Sequence, residues 1–95
     1  MNKVEALALL ETHLGTWKTR THGDLVALIG KQSCSELRGS SGAVYQVEVE
    51  AFWDAARGGN IRVIGSIDDG GLRALVPLSS DFILTPASRL VGEPS

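Results

Sequence analysis

Glu48 and Glu50 are the residues whose type and spacing come nearest to catalytic chemistry. They stand two apart in the alternating run Val44–Trp53, so both carboxylates fall on one strand face, about 7 Å apart. Carboxylate pairs at such distances do acid/base work in glycosidases. Two glutamates on a wet strand face are also common, and Arg62 and Arg73 on neighbouring strands can pair with them; exposed pairs of this kind stabilise by about 0–1 kcal/mol. The solvated reading is preferred. Glu48 and Glu50 remain the candidate pocket acids, with Asp54 beside them, for a site between helix and sheet that perturbs a buried acid or base. A second constellation is Trp53, Asp54, Arg62 and Arg73, a candidate interaction surface because Trp and Arg dominate binding hot spots. For Trp53 itself a core position is the preferred reading, and an interface anchor the alternative.

The other reactive residues form no recognisable site. Asp68-Asp69 could be a metal pair, but hard cations want about six oxygen ligands and no Asp-x-Asp-x-Asp loop is present; Asp69-Gly70 reads as turn chemistry. His13 and His22 are the only histidines and Cys34 the only cysteine. No flanking motif makes a thiol nucleophile of Cys34, and a lone cysteine closes no disulfide within the chain. The glycines make no GxGxxG or Walker-type loop. No cofactor, metal or catalytic residue is expected.

The chain of 95 residues is one domain (1–95), with net charge −2, 43% hydrophobic and 21% charged residues. Its nine Lys and Arg are scattered, whereas nucleic-acid binders carry a basic stripe. No apolar run nears a membrane span, and Glu5 and Glu11 interrupt any signal-like start. No nucleic acid, no membrane and a cytoplasmic location are the expectations.

Those residues need elements to hold them. Asn2–Leu14 reads as a helix with Val4, Leu7, Leu10 and Leu14 as its apolar stripe, Asn2 and Glu5 as a capping box, and Gly15 as the stop. Thr16–His22 reads as a linker. Asp24 as N-cap and Gly30 beyond the end favour a short helix over 25–29, with a strand as the alternative. Ser33–Arg38 is a weak strand, and 39–42 a turn. In Val44–Trp53, Tyr45, Val47, Val49, Ala51 and Trp53 share one face; Gln46, Glu48, Glu50 and Phe52 share the other. Ile61–Ile67 and Leu72–Leu78 form a hairpin about Asp69-Gly70, with Ile61 facing Leu78, Val63 facing Val76, Gly65 facing Ala74 and Ile67 facing Leu72. Ser79–Leu84 adds an apolar piece, with its place in the sheet open. Residues 92–95 read as a frayed tail.

The strings Tyr45–Val49, Phe52-Trp53-Asp54, Arg62–Gly71 (with Ile-Gly-Ser-Ile-Asp-Asp-Gly-Gly inside it) and Asp81-Phe82-Ile83 resemble a group of small uncharacterised bacterial proteins, over roughly 23–93. The resemblance implies a bacterial or phage source and a stand-alone small domain, and it brings no activity. After Pro86 that group carries a turn pair such as Asp-Gly, where Ala87-Ser88 stand here.

The expected fold is α+β in two layers. An N-terminal helix, with a short second one, packs on an antiparallel meander of three to five strands; a partly closed barrel with a helical lid is the alternative. The expected function is a small non-catalytic binding or interaction module, with a protein partner or a homodimer. The alternative is a small-ligand binder or enzyme with a pocket between helix and sheet.

Overall fold

The computed structural model describes residues 2–70 and 77–92. Two helices, α1 (Lys3–Lys18) and α2 (His22–Leu28), precede four strands: β1 (Gln32–Arg38), β2 (Val44–Trp53), β3 (Ile61–Asp68) and β4 (Leu78–Leu84). The strands form one antiparallel meander in the order β1-β2-β3-β4. The sheet is open rather than a barrel, and the fold is the two-layer α+β expected.

Helix α1 starts where its sequence pattern places it, with Asn2 as N-cap, but differs in its end and in its buried stripe. It runs through Gly15 to Lys18, although an interior glycine costs about 1 kcal/mol. The extra turn buries Trp17, which is worth about 4 kcal/mol by apolar area and outweighs the glycine. The buried stripe is Ala6, Leu10, Leu14 and Trp17, while Val4 and Leu7 are 82% and 44% exposed. Including Trp17 turns the helix so that Val4 and Leu7 leave the sheet. The linker shrinks to 19–21.

Helix α2 is a helix because its start is doubly capped. Thr21, not Asp24, is the N-cap. Its side chain accepts from the Asp24 N–H, and Asp24 returns the bond to Thr21 N–H. Gly30 follows the helix at φ 83°, a left-handed conformation that glycine adopts without steric cost.

In β2 the alternation holds: Tyr45, Val47, Val49 and Ala51 are buried, and Gln46, Glu48 and Phe52 are exposed. The expected partner of β3 is corrected. Ile61 faces Leu84, Val63 faces Phe82, Gly65 faces Ser80 and Ile67 faces Leu78. Residues 72–76 of the expected strand lie outside the described residues. The two registers differ by six residues, an even number, so each puts apolar side chains on the same face and alternation cannot choose between them. Side chains decide. Phe82 and Leu84 are both buried, and the observed register keeps Pro77, which cannot donate to a ladder, outside the strand. Ser79–Leu84 thus belongs to the sheet.

Both helices lie on one face. Helix α1 packs over β3 and β4, and α2 over β2 and β3. The core consists of the α1 stripe, Leu25, the inward residues of β2 and β3, and Phe82 and Leu84. Gly65 sets how closely α1 approaches. A Cβ there would stand 2.8 Å from Leu14 Cδ2 and 3.0 Å from Leu10 Cδ1. At the far end of β4, Val91 N–H donates to Ile83 O (2.9 Å) and Leu90 bridges Leu84.

Candidate functional site

The helices cover one face of the sheet, and among the described residues no helix lies on the other. Strand parity dictates what that open face carries. Register aligns Gln32 with Glu50 and Cys34 with Glu48, then Phe52 with Arg62 and Glu50 with Ile64, then Arg62 with Ile83 and Ile64 with Asp81. Phe52, 44% exposed, thus stands diagonal to Ile64 in a mixed strip, with Arg62 between it and Ile83.

The charges around the strip are partly satisfied. Arg62 donates to Asp54 Oδ1 from Nε at 3.1 Å and bonds Asp81 through the guanidinium. Gln32 Nε2 donates to Glu50 Oε1 at 2.7 Å and to Glu48 Oε2 at 3.2 Å. The expected pairing of Arg62 with Glu48 or Glu50 is therefore corrected. Register places Arg62 opposite Phe52, and the nearer Asp54 and Asp81 take its guanidinium. Two shallow depressions flank Phe52. One, of about 190 Å³, is lined by Glu48, Glu50, Phe52, Ile64 and Ser66. The other, of about 250 Å³, is lined by Gly30, Lys31, Gln32, Glu50, Ala51 and Phe52.

Of the expected interaction surface, Asp54 and Arg62 come together on the open face. Trp53 does not join them. It points to the helix side, packs on the core and has its ring centroid 6.1 Å from that of His22, whose Nε2 lies 2.8 Å from Gly59 O. Arg73 lies outside the described residues. The candidate pocket acids Glu48 and Glu50 face away from the helices, so they cannot line a pocket between helix and sheet. Phe52 was legible as an aromatic on the wet parity of β2, and that parity mismatch is the signal that marks it.

A second cluster joins the layers. Glu5 spends only its backbone on the helix cap, its N–H donating to Asn2 Oδ1 at 3.0 Å. Its carboxylate instead accepts from Ser41 N–H at 3.1 Å, Ser41 Oγ at 2.7 Å, Ser40 Oγ at 3.4 Å and the Tyr45 hydroxyl at 2.9 Å. The Ser41 hydroxyl, then Tyr45, hold the Glu5 carboxyl below the usual carboxylate range. Burial, then the Glu5 carboxylate, push the Tyr45 phenol above its ordinary value. Both shifts lead away from neutrality, so each group stays in its usual charge state. A general acid or base works best with a pKa near the operating pH; this cluster is a clasp that ties the start of α1 to the β1–β2 turn. Gly39 makes room for it, since a Cβ there would collide with the Glu5 carboxylate.

Asp68 behaves as a turn residue, its Oδ1 accepting from Gly70 N–H at 2.8 Å. Cys34 is free and exposed on the open face. No helix among the described residues is long and apolar enough to cross a membrane. No family model matches the chain, and neither a curated protein nor a solved structure shows significant similarity to it.

Proposed function

We propose that this chain is a small, non-catalytic binding module that docks a partner protein on the open face of its sheet. The observation that carries the reading is Phe52, an exposed aromatic beside Ile64 on a face that no described helix covers. Aromatic residues beside arginine are the side chains that anchor protein interfaces, and Arg62 lies across from Phe52. Its guanidinium is already oriented by two carboxylates, so little side-chain freedom is lost on docking. The exposed free thiol of Cys34 suits a reducing compartment, and the cytoplasm of a bacterium is the setting we propose.

Affinity capture from lysate with the tagged chain and its Phe52→Ser variant tests this. A stoichiometric partner held by the parent and lost from the variant supports the reading. A partner held equally by both removes the open face as the docking surface. A blank from both counts against a protein partner and directs attention to small ligands.

A further inference from the structure

We infer that the segment docked on the open face is cationic, with arginine or lysine on Glu48 and Glu50 and apolar side chains on Phe52, Ile64 and Ile83. The inference rests on the docking reading above and names the chemistry of the partner. The starting point is the geometry around Phe52. Glu50 lines both depressions that flank the ring, so a chain that fills either one also lies over Glu50. Glu48 lines the first of them. The one described side-chain donor these two carboxylates share is the neutral Gln32 amide. A carboxylate desolvated without enough donors is strongly destabilising. An apolar or neutral segment that covers the strip therefore leaves Glu50 under-satisfied, whereas a guanidinium brings five N–H donors and the opposite charge.

Among the described residues, the cations that register places on or beside this face do not remove this demand. Arg62 is held by Asp54 and Asp81. Arg38 aligns with Val44, at the opposite end of β2 from Phe52. Lys31 borders only the second depression, outside the one that Glu48 lines. By register the described open face carries Glu36, Glu48, Glu50, Asp68 and Asp81 against Arg38 and Arg62. A second copy docking by the same face would bring like charges together, which costs several kcal/mol across an interface. The same carboxylates repel a phosphate backbone. A basic polypeptide is the occupant that this distribution complements.

The test uses the whole chain and two blocked peptides, one alternating leucine with arginine and one alternating leucine with serine. Each is titrated against isotope-labelled protein while backbone amide resonances are followed. The arginine peptide is expected to shift Glu48, Glu50, Phe52 and Ile64 saturably and to bind about tenfold more tightly than the serine peptide. In the Glu48→Gln, Glu50→Gln double variant both peptides should bind alike. Equal binding of both peptides to the parent at these amides overturns the cationic partner but leaves the docking face standing. Saturable binding elsewhere on the surface, or no shift from the arginine peptide, overturns the inference. The docking reading is then decided separately by the Phe52→Ser capture.

Discussion

Replacing Gly65 by alanine tests the layer spacing that leaves one face covered and the other open. The added Cβ would lie 2.8 Å from Leu14 Cδ2, 3.0 Å from Leu10 Cδ1 and 3.1 Å from Leu14 Cγ. Both leucines are fully buried, so neither can swing aside into solvent, and α1 must lift or its rotamers strain. Overpacking of this kind costs about 1–3 kcal/mol. Removing a glycine also stiffens the unfolded chain, which returns about 0.4–1 kcal/mol. The net expectation is a loss of about 1–2 kcal/mol, or a Tm lower by about 5–15 °C for a domain of this size. Thermal and urea unfolding followed by circular dichroism read it. Gly15→Ala is the control: it sits inside α1 with nothing within 4 Å of its would-be Cβ, so the same chemical change should stabilise by about 0.5–1 kcal/mol. Adding Leu14→Ala to Gly65→Ala should cost less than the two single effects summed, because the new methyl occupies the vacated space. A Gly65→Ala protein as stable as the parent would show that α1 does not rest on β3 as described.

Further expectations concern the clasp, a turn and the open face. Tyr45 is the chain's only tyrosine, so ultraviolet titration of the phenolate reads it alone; the midpoint should lie above the ordinary value of about 10 and fall toward it in Glu5→Gln. Gly39→Ala, by displacing the same carboxylate, should lower the Tyr45 midpoint as Glu5→Gln does, and an unmoved midpoint in both would contradict the clasp. Because the folded Glu5 value is depressed, its contribution to stability is present above the unfolded carboxyl value and disappears as pH falls through the folded value. The acid limb of a Tm–pH profile should therefore be shallower in Glu5→Gln. Ser88 sits at φ 61° while its Oγ accepts from His22 N–H at 2.9 Å. Ser88→Gly relieves a left-handed backbone worth about 1 kcal/mol and loses a bond worth about the same, so it should be near neutral. Ser88→Ala keeps the strain and loses the bond, and should destabilise by about 1 kcal/mol; both are read by urea unfolding. Phe52→Ser, at a half-exposed position, should change stability by less than about 1.5 kcal/mol.

The legible parts of this fold were those where short-range chemistry was consistent with burial. The alternation of Val44–Trp53, the glycine turn after Arg38 and the start of a helix at Asn2 are of that kind. Register was not legible, because shifting β4 by six residues preserves parity and only the bulk of Phe82 and Leu84 and the placement of Pro77 discriminate. The end of α1 was not legible either. Gly15 stops a helix on local grounds, and only the core contact of Trp17 overrides it. The Glu5 clasp joins residues about forty positions apart, which no local pattern encodes. Ser88 adopts a left-handed backbone at φ 61°, which nothing in its residue type announces. On the open face, strand parity groups Glu48, Glu50 and Phe52, whereas Trp53 takes the opposite parity and packs on the core. A large aromatic on a wet parity is the more informative residue, since burial does not explain it.

The claim that most needs testing is that docking occurs on the open face rather than on the exposed side of α1, where Val4 is 82% exposed. Quantitative affinity capture with the parent, Phe52→Ser and Val4→Ser tests it directly. The account predicts a partner retained by the parent and by Val4→Ser and lost from Phe52→Ser. A partner that survives Phe52→Ser and is lost from Val4→Ser would contradict it and move the docking surface to the helix.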